Sequence, residues 1–246
     1  MKKHSQPDNL FASPLEKVSD FAFDEAVARV FPDMIRRSVP GYTTIIPMIG
    51  IITEHYAQDH SVCYDLGCSL GASTLAMRHG LKNKTCDLIA IDNSQAMLER
   101  CRHHIELDNE LTAVDLICAD INDITFKPCS VVTLNFTLQF IAPELRLQLL
   151  SKIYSALLPG GVLILSEKIC FDDAHEQRSL EQLHWDFKRA NGYSELEVSQ
   201  KRSALEQVLL PDTLDTHKER LTKANFDASH LWYQCFNFMS LIAFKN

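Results

Sequence analysis

Residues 62–73 read Val-Cys-Tyr-Asp-Leu-Gly-Cys-Ser-Leu-Gly-Ala-Ser, a short apolar run followed by a loop of small residues. Asp65 lies near the end of the run, and Gly67, Ser69 and Gly71 follow at alternate positions. A dinucleotide-binding loop reads Gly-x-Gly-x-x-Gly and holds a pyrophosphate at the N-terminus of the next helix. The loop here does not match that pattern, and the carboxylate of Asp65 would repel a pyrophosphate but could serve a cationic ligand. Taken alone, the loop is also typical of a strand-to-helix turn that only requires small residues.

Alternating strand and helix patterns continue from this loop toward the end of the chain. The apolar runs LIAIDNS, VDLICADI, VVTLNFTLQF and VLILSEK are typical of buried strands, and GASTLAMRHGL and SQAMLERCRHHIEL are typical of helices. A further helix is predicted between Glu144 and Leu158, where Pro159-Gly160-Gly161 ends it. The stretch SHLWYQCFNFMSLIAFKN predicts two neighbouring strands in a hairpin. We therefore predict a Rossmann-like α/β fold with a doubly wound, mostly parallel seven-stranded sheet and an antiparallel C-terminal edge hairpin.

Two segments lie outside this alternation, residues 1–57 and residues 172–207, and both have the pattern of helices. A long insertion between strands often forms a lid over the carboxyl ends of the strands. We therefore expect a single domain over residues 1–246, in which 1–57 is a helical N-terminal segment and 172–207 is a helical lid.

The composition restricts the class of protein. A formal net charge of −8 argues against a nucleic-acid surface, because phosphate binding requires clustered Lys and Arg. The eight cysteines contain no Cys-x-x-Cys pair, which argues against a metal site, and scattered thiols suit a reducing cytoplasm. The N-terminal MKKHSQPDNLF lacks the apolar run of a signal peptide, and the longest apolar run is too short to span a bilayer. We expect a cytoplasmic protein without a metal, a membrane segment or direct nucleic-acid binding.

Polar residues follow three of the predicted strands. Asp92 ends the second strand, Asp120 the third and Asn135 the fourth. In a doubly wound sheet, ligands bind beyond the carboxyl ends of the strands, at the point where the strand order reverses. A carboxylate at Asp92 can accept both hydroxyls of a ribose, and Asp120 can accept the exocyclic amine of an adenine. Each residue alone is typical of a helix N-cap, but the three together at the carboxyl edge of the sheet, here called the rim, indicate a nucleoside site.

The loop and the rim resemble those of the class I S-adenosylmethionine-dependent methyltransferases. Their Asp/Glu-x-Gly-x-Gly-x-Gly loop matches YDLGCSLG except at Ser69, their acid after the second strand matches Asp92, and their Leu-x-Pro-Gly-Gly motif matches residues 157–161. This resemblance covers roughly residues 60–170 and the terminal hairpin, and it leaves the substrate open.

A narrower resemblance extends along nearly the whole chain. FDEAVARVFPDMIRRSVPGY, YDLGCSLGAST, NFTLQF and HWDFKRANGYSELEVSQKRS are similar to the carboxy-S-adenosyl-L-methionine synthases of bacteria. That resemblance implies a homodimeric transferase that converts S-adenosyl-L-methionine and prephenate to carboxy-S-adenosyl-L-methionine and phenylpyruvate without a metal. It also implies that the product supplies a separate enzyme, which adds the 5-oxyacetyl group to the wobble uridine of tRNA.

The same resemblance implies the ligand contacts of the chain. They are Tyr42, Gly67, Cys68, Ser69, Asp92, Asn93, Asp120, Ile121, Asn135 and Arg202. Arg202, on the predicted lid, is the candidate cation for the carboxylate of the product, although an arginine beside a lysine is usually a solvated helix residue. Tyr193 is a further candidate contact for prephenate. Arg36 and Arg37 could attract an anionic substrate, although a surface pair is the commoner arrangement.

Two other classes of function fit parts of the pattern. A conventional methyltransferase for a small molecule would use the same S-adenosyl-L-methionine site and would release S-adenosylhomocysteine. A non-catalytic, methyltransferase-like subunit would keep the fold but would not need Asp92, Asp120 and Asn135 together.

Overall fold

The computed structural model describes residues 6–15 and 21–246. The chain folds into helices α1 (Glu25–Ser38), α2 (Tyr42–Tyr56), α3 (Ala72–Gly80), α4 (Gln95–Leu107), α5 (Pro143–Ala156), α6 (Ala174–Ala190), α7 (Glu195–Leu205) and α8 (Leu214–Lys223). The strands are β1 (Val62–Leu66), β2 (Asp87–Asp92), β3 (Val114–Cys118), β4 (Cys129–Asn135), β5 (Leu157–Cys170), β6 (Asp212–Thr213), β7 (Ala228–Cys235) and β8 (Phe238–Phe244).

The strands pair in the order β3-β2-β1-β4-β5-β8-β7, with β6 added beside β5. The first five strands of that order run parallel, and β8 and β7 are antiparallel to their neighbours. The doubly wound sheet and its C-terminal hairpin are therefore confirmed. The described residues add β6, a two-residue strand that pairs with Ile169 and Cys170 at the end of β5, so that the sheet has eight strands.

Helices cover both faces of the sheet, which explains why the central strands are apolar throughout. All five residues of β1 are buried. On one face, Leu149 and Ile153 of α5 pack against the strands, and on the other face Ile45 of α2 and Met77 of α3 do so. Folding therefore buries two apolar layers, which hold the polar carboxyl ends of the strands in fixed positions.

The boundary between α5 and β5 differs from the prediction. The helix ends at Ala156, and Leu157 already has extended backbone angles and pairs with Cys129 of β4. Pro159-Gly160-Gly161 lies within the strand, where Gly160 has a φ of +79° and the register between β4 and β5 shifts. The apolar side chains at this boundary fit a helical face and a buried strand equally well, so that the sequence pattern alone misplaced the helix end.

The N-terminal segment is helical from Glu25 to Tyr56, apart from the short link between α1 and α2. Residues 6–15 and 21–24 contain no helix, so that the prediction of a helical segment is wrong there. Residues 1–5 and 16–20 of that prediction lie outside the described residues.

The predicted lid consists of α6 and α7. Asp173 caps α6 by accepting a hydrogen bond from the backbone N–H of Glu176, and Ser194 forms a capping box with Glu197 at the start of α7. The side chain of His184 on α6 bonds through Nε2 to the carbonyl oxygen of Ser38 at 2.8 Å. This contact ties the lid to the C-terminal end of α1. No helix in residues 6–15 and 21–246 is long and apolar enough to cross a membrane.

A buried arginine fixes the return of the chain from the lid to the sheet. Arg146 is 1% exposed and forms an ion pair with Asp212 of β6, while its Nη2 donates to the carbonyl oxygen of Leu210 at 2.9 Å. Asp212 also pairs with Arg220 at 2.8 Å, so that removal of the Arg146 guanidinium chiefly deprives the carbonyl oxygens of Ile141 and Leu210 of a hydrogen-bond donor. A buried acceptor left without its donor costs about 1–3 kcal/mol.

We expect Arg146→Met to lower the free energy of unfolding by about 1–3 kcal/mol in urea denaturation. Arg178→Met is the matched control, since Arg178 is exposed on α6 and should change stability by less than about 0.5 kcal/mol. Equal stabilities of the two variants would contradict the structural role of Arg146.

Candidate functional site

A cavity of about 570 Å³ opens at the carboxyl edge of the sheet, where the strand order reverses between β1 and β4. The loop after β1 and the ends of β2, β4 and β5 form its floor, while α1, α6 and α7 contribute side chains above it. Its volume lies in the range of small-molecule sites.

The loop after β1 approaches its neighbours too closely for larger residues. Gly67 has a φ of +77°, and a Cβ atom placed there would lie 2.4 Å from Oγ1 of Thr137. Ser69 also has a positive φ of 50°. These left-handed positions turn the chain sharply from β1 into α3 and expose the backbone to the cavity.

Asp92 at the end of β2 holds this loop in place. Its Oδ2 accepts a hydrogen bond from the backbone N–H of Ser69 at 2.8 Å, and its Oδ1 accepts one from the N–H of Ser94 at 2.9 Å. Each carboxylate oxygen keeps a second lone pair that can accept a ligand hydroxyl. Burial raises the pKa of the Asp92 carboxyl, and the two backbone N–H groups offset part of that shift. Ser94, rather than Asp92, is the N-cap of α4.

Asp120 and Asn135 present further acceptors around the cavity. Oδ1 of Asp120 accepts hydrogen bonds from the backbone and the side chain of Asn122, at 2.8 and 2.9 Å, and the residue is exposed at the rim. Nδ2 of Asn135 donates to Oγ of Ser73 at 3.1 Å, whereas its buried Oδ1 has no hydrogen-bond partner among the described residues. An unpartnered buried acceptor is costly, so that this atom fits a ligand that brings a donor or a positive charge.

Asp65 lies beneath the loop after β1 and, like Asn135, has a buried acceptor oxygen without a hydrogen-bond partner in residues 6–15 and 21–246. Its Oδ2 accepts a hydrogen bond from the hydroxyl of Thr74 at 2.6 Å, and its buried Oδ1 is unpartnered within the described part of the chain. Burial raises the pKa of the Asp65 carboxyl to about 7. A cation bound nearby would favour the ionised form, which agrees with the cationic ligand that the sequence indicates.

The structure brings nine of the predicted site residues to this one cavity. They are Tyr42, Gly67, Cys68, Ser69, Asp92, Asn93, Asp120, Ile121 and Asn135. Burial and the nearby Asp65 carboxylate raise the pKa of the Tyr42 phenol, so that it remains a hydrogen-bond donor. The Cys68 thiol is 4% exposed and its pKa is raised well above the usual value, because it lies beside Cys101 in a buried setting. Cys68 therefore contributes its backbone rather than a thiolate.

Arg202 and Tyr193 are not among the residues that line the cavity. Arg202 is exposed on α7, and its guanidinium lies 5.2 Å from the ring centre of Trp185. Tyr193 is buried, donates its hydroxyl proton to Asp8, and stacks with the guanidinium of Arg37 at 3.8 Å. These contacts place Tyr193 between the lid and the N-terminal segment.

The arginine pair on α1 is bound to the protein itself. Arg36 and Arg37 both pair with Asp33, at 3.0 and 3.1 Å, and Nε of Arg37 also donates to the carbonyl oxygen of Asn191. Arg37 thus joins α1 to the end of α6.

Four cationic or titratable residues of the cavity are not among the predicted site residues. They are Lys168, His184, Lys188 and Lys201. A weak signal was present in the sequence, because His184 and Lys188 are four residues apart on one face of the predicted lid helix. Within the described residues, no group of three or more His, Cys, Asp or Glu side chains could hold a metal ion.

Comparison with known proteins agrees with this architecture. The model of a methyltransferase domain family matches residues 63–161. Human N-acetylserotonin methyltransferase, solved in complex with S-adenosylmethionine, superposes with a TM-score of 0.60 at 15% identity, over 96% of this chain and 61% of that one. At that identity the similarity shows the fold alone.

Curated relatives are much closer in sequence. The carboxy-S-adenosyl-L-methionine synthase of Marinobacter nauticus is 61% identical over 97% of this chain and 95% of its own length. That of Photobacterium profundum is 58% identical over 97% of this chain and 98% of its own. The aligned region includes α6, α7 and nearly all of the N-terminal segment in addition to the residues at the carboxyl edge of the sheet, and the chain therefore belongs to the carboxy-S-adenosyl-L-methionine synthase family.

Proposed function

We propose that this protein converts S-adenosyl-L-methionine and prephenate to carboxy-S-adenosyl-L-methionine and phenylpyruvate. The observation that carries this proposal is the extent of the similarity, 61% identity over 97% of the chain, which includes the lid that covers the cavity. A protein that shared only the nucleoside-binding core would not need to share the lid. The product then supplies an enzyme that completes the 5-oxyacetyl modification of the wobble uridine in tRNA.

The proposed reaction balances without a protein nucleophile or a metal. Prephenate becomes aromatic by losing carbon dioxide from its ring carboxylate and hydroxide from its ring carbon, which leaves phenylpyruvate. The sulfonium acidifies its methyl group, so that the methyl proton and the departing hydroxide form water. The resulting ylide carbon attacks the carbon dioxide and becomes the carboxymethyl group of the product.

The rim residues bind the nucleoside in this proposal. Asp92 accepts the two ribose hydroxyls with its remaining lone pairs, and Asp120 accepts the adenine amine at the mouth of the cavity. The unpartnered Oδ1 of Asn135 accepts the ammonium of the methionine part, and Tyr42 donates its hydroxyl to the same end of the ligand. Gly67–Ser69 bring the backbone against the ligand.

The proposed reaction also requires a closed and dry cavity, which the lid provides. Water would protonate the ylide and would let carbon dioxide escape. Apolar side chains surround the cavity near α1 and the turn after β4, among them Phe21, Phe23, Phe31 and Phe140. Phe23 and Phe140 meet edge to face with ring centres 5.2 Å apart. These rings exclude water from one side of the reacting groups.

Arg202 remains the proposed cation for the new carboxylate, as a planar guanidinium binds a carboxylate with two hydrogen bonds. Because it is exposed over Trp185, it reaches a bound carboxylate only if α7 moves or if a partner subunit presents it. The second route requires the homodimer that the family resemblance implies. Cytoplasmic location completes the proposal, since prephenate and tRNA are both intracellular.

Incubation of the purified protein with both substrates tests the reaction. We expect mass spectrometry to detect an S-adenosyl-L-methionine derivative heavier by one carboxyl group, together with an equal amount of phenylpyruvate. Replacing prephenate by phenylpyruvate is the control and should give no heavier product. Formation of S-adenosylhomocysteine alone would support a conventional methyltransferase, and absence of any S-adenosyl-L-methionine binding would support a non-catalytic subunit.

We expect Asp92→Asn to weaken S-adenosyl-L-methionine binding by about 10- to 100-fold, because the amide loses the charge and turns one acceptor into a donor that faces a backbone N–H. Isothermal titration calorimetry measures the change. Asp115→Asn is the matched control, since Asp115 is exposed on β3. An equal affinity of the two variants would contradict the role of Asp92.

We expect Arg202→Ala to bind S-adenosyl-L-methionine almost normally but to lose about 10- to 100-fold in affinity for the carboxylated product, since only the product has the extra carboxylate. Arg178→Ala on α6 is the control for loss of an exposed arginine. If Arg202→Ala weakened the binding of both compounds to the same degree, Arg202 would not be the group that recognises the carboxylate.

A further inference from the structure

Cationic side chains converge on the part of the cavity beneath the lid. Lys168 at the end of β5, Lys188 on α6 and Lys201 on α7 all line the cavity. Lys188 is 7% exposed and Lys201 is 4% exposed. Lysine is almost never buried to this degree unless a partner compensates its charge.

Lys201 has such a partner. Its Nζ lies 3.2 Å from Oδ2 of Asp8, which is itself buried, and donates to Oγ of Ser38 at 3.0 Å. The hydroxyl oxygen of Tyr193 lies 3.2 Å from the same nitrogen. The charge of Lys201 is therefore balanced within the protein.

Lys168 and Lys188 have no such compensation. Among residues 6–15 and 21–246, neither ammonium group makes a hydrogen bond or lies within 4.0 Å of a carboxylate. Glu181 on α6 attracts both only at longer range. Burial and the neighbouring lysines lower the pKa of Lys188 to about 7, and burial lowers the pKa of Lys168. Among the described residues, the wall of the cavity beneath the lid therefore provides no paired carboxylate for Lys168 or Lys188, and an anionic ligand bound there would favour the charged form of both lysines.

His184 adds a neutral polar group to the same wall. Its Nε2 is bound to the carbonyl oxygen of Ser38, so that the ring proton lies on Nε2 and Nδ1 is left as an acceptor. Nδ1 is buried and has no partner in the described structure, and burial with the nearby lysines keeps the pKa of the ring well below its usual value. The cluster therefore offers two cations and one hydrogen-bond acceptor.

The cluster lies beside the nucleoside rim. Ser166 of β5 pairs with Asn135 of β4, and Lys168 is two residues further along the same strand, on the same face. The strand spacing and rise place the Cα atoms of Asn135 and Lys168 about 8 Å apart. A second ligand at Lys168 would thus lie next to the methionine end of a nucleoside held at Asn135.

We propose that Lys168 and Lys188 form a dicarboxylate site that binds the two carboxylates of prephenate, with His184 accepting a hydrogen bond from its hydroxyl group. This inference rests on the proposed function and assigns the second substrate to a place in the cavity. Prephenate is a dianion, so that it supplies the two charges that the wall lacks.

The two negative charges also persist through the reaction. The carboxylate that prephenate loses reappears on the methyl carbon of the other substrate, and phenylpyruvate keeps the second one. The methionine part of S-adenosyl-L-methionine is a zwitterion with one carboxylate and one ammonium, and it cannot balance two lysines. The charge balance therefore favours prephenate as the ligand of the cluster.

Lysine-to-methionine variants test the site, since methionine keeps the length and removes the charge. We expect Lys168→Met and Lys188→Met each to weaken prephenate binding by about 10- to 100-fold in calorimetry and to raise the KM for prephenate similarly. The KM for S-adenosyl-L-methionine should change less than about twofold. Lys223→Met is the matched control, because Lys223 is exposed on α8 and pairs with Glu219 at 3.6 Å.

The outcomes separate this inference from the proposed function. Turnover in which both variants keep the wild-type KM for prephenate would overturn the dicarboxylate site and leave the reaction intact. Lysine-dependent prephenate binding without any carboxylated product would support the site and overturn the reaction. A loss of S-adenosyl-L-methionine affinity equal to that for prephenate would assign the lysines to the carboxylate of the methionine part instead.

The melting temperature of each variant shows independently whether it folds. Removing an uncompensated buried charge should leave the Tm of Lys188→Met equal to or above that of the wild-type protein. If one variant does not fold, the other decides the question, because Lys168 and Lys188 lie on different elements.

Discussion

Parallel pairing of β1–β5 requires these five strands to end at the same edge of the sheet, and the whole site depends on this constraint. The apolar residues of each strand are covered by helices, so that polar residues which follow the buried runs lie at that edge. Asp92, Asn135 and Lys168 come from three different strands and meet around one cavity for this reason. No local interaction between them is needed to bring them together.

The lid depends on a second set of interactions, in which buried charges at the N-terminal segment are paired. Asp8 accepts hydrogen bonds from Tyr193 and Lys201, and His184 and Lys201 both bind Ser38. These contacts join α6 and α7 to α1 and fix the inner face of the lid over the cavity. The protein carries a net charge of −8, yet this inner face is cationic. The net charge of the chain therefore does not describe the electrostatic field inside the cavity.

The sequence predicted the sheet and the polar residues at its carboxyl edge because both follow from short-range patterns. Asp92, Asp120 and Asn135 each follow an apolar run, and a doubly wound fold places such residues at one edge. The two-residue strand at Asp212 could not be predicted, since it forms only where the chain returns from the lid. The end of α5 was misplaced because Leu157 fits a helical face and a strand equally well.

The inner face of the lid could not be predicted for a geometric reason. Lys201 and Arg202 are consecutive, and consecutive residues of a helix point about 100° apart, so that only one of them can face the cavity. The structure turns Lys201 inward, where Asp8 compensates it, and leaves Arg202 over Trp185. Lys168 and Lys188 then remain uncompensated in the protein alone, which costs folding free energy. Because a ligand that binds only the folded state returns stability, a dianion in the cavity would offset this cost and would also hold the lid closed during the reaction.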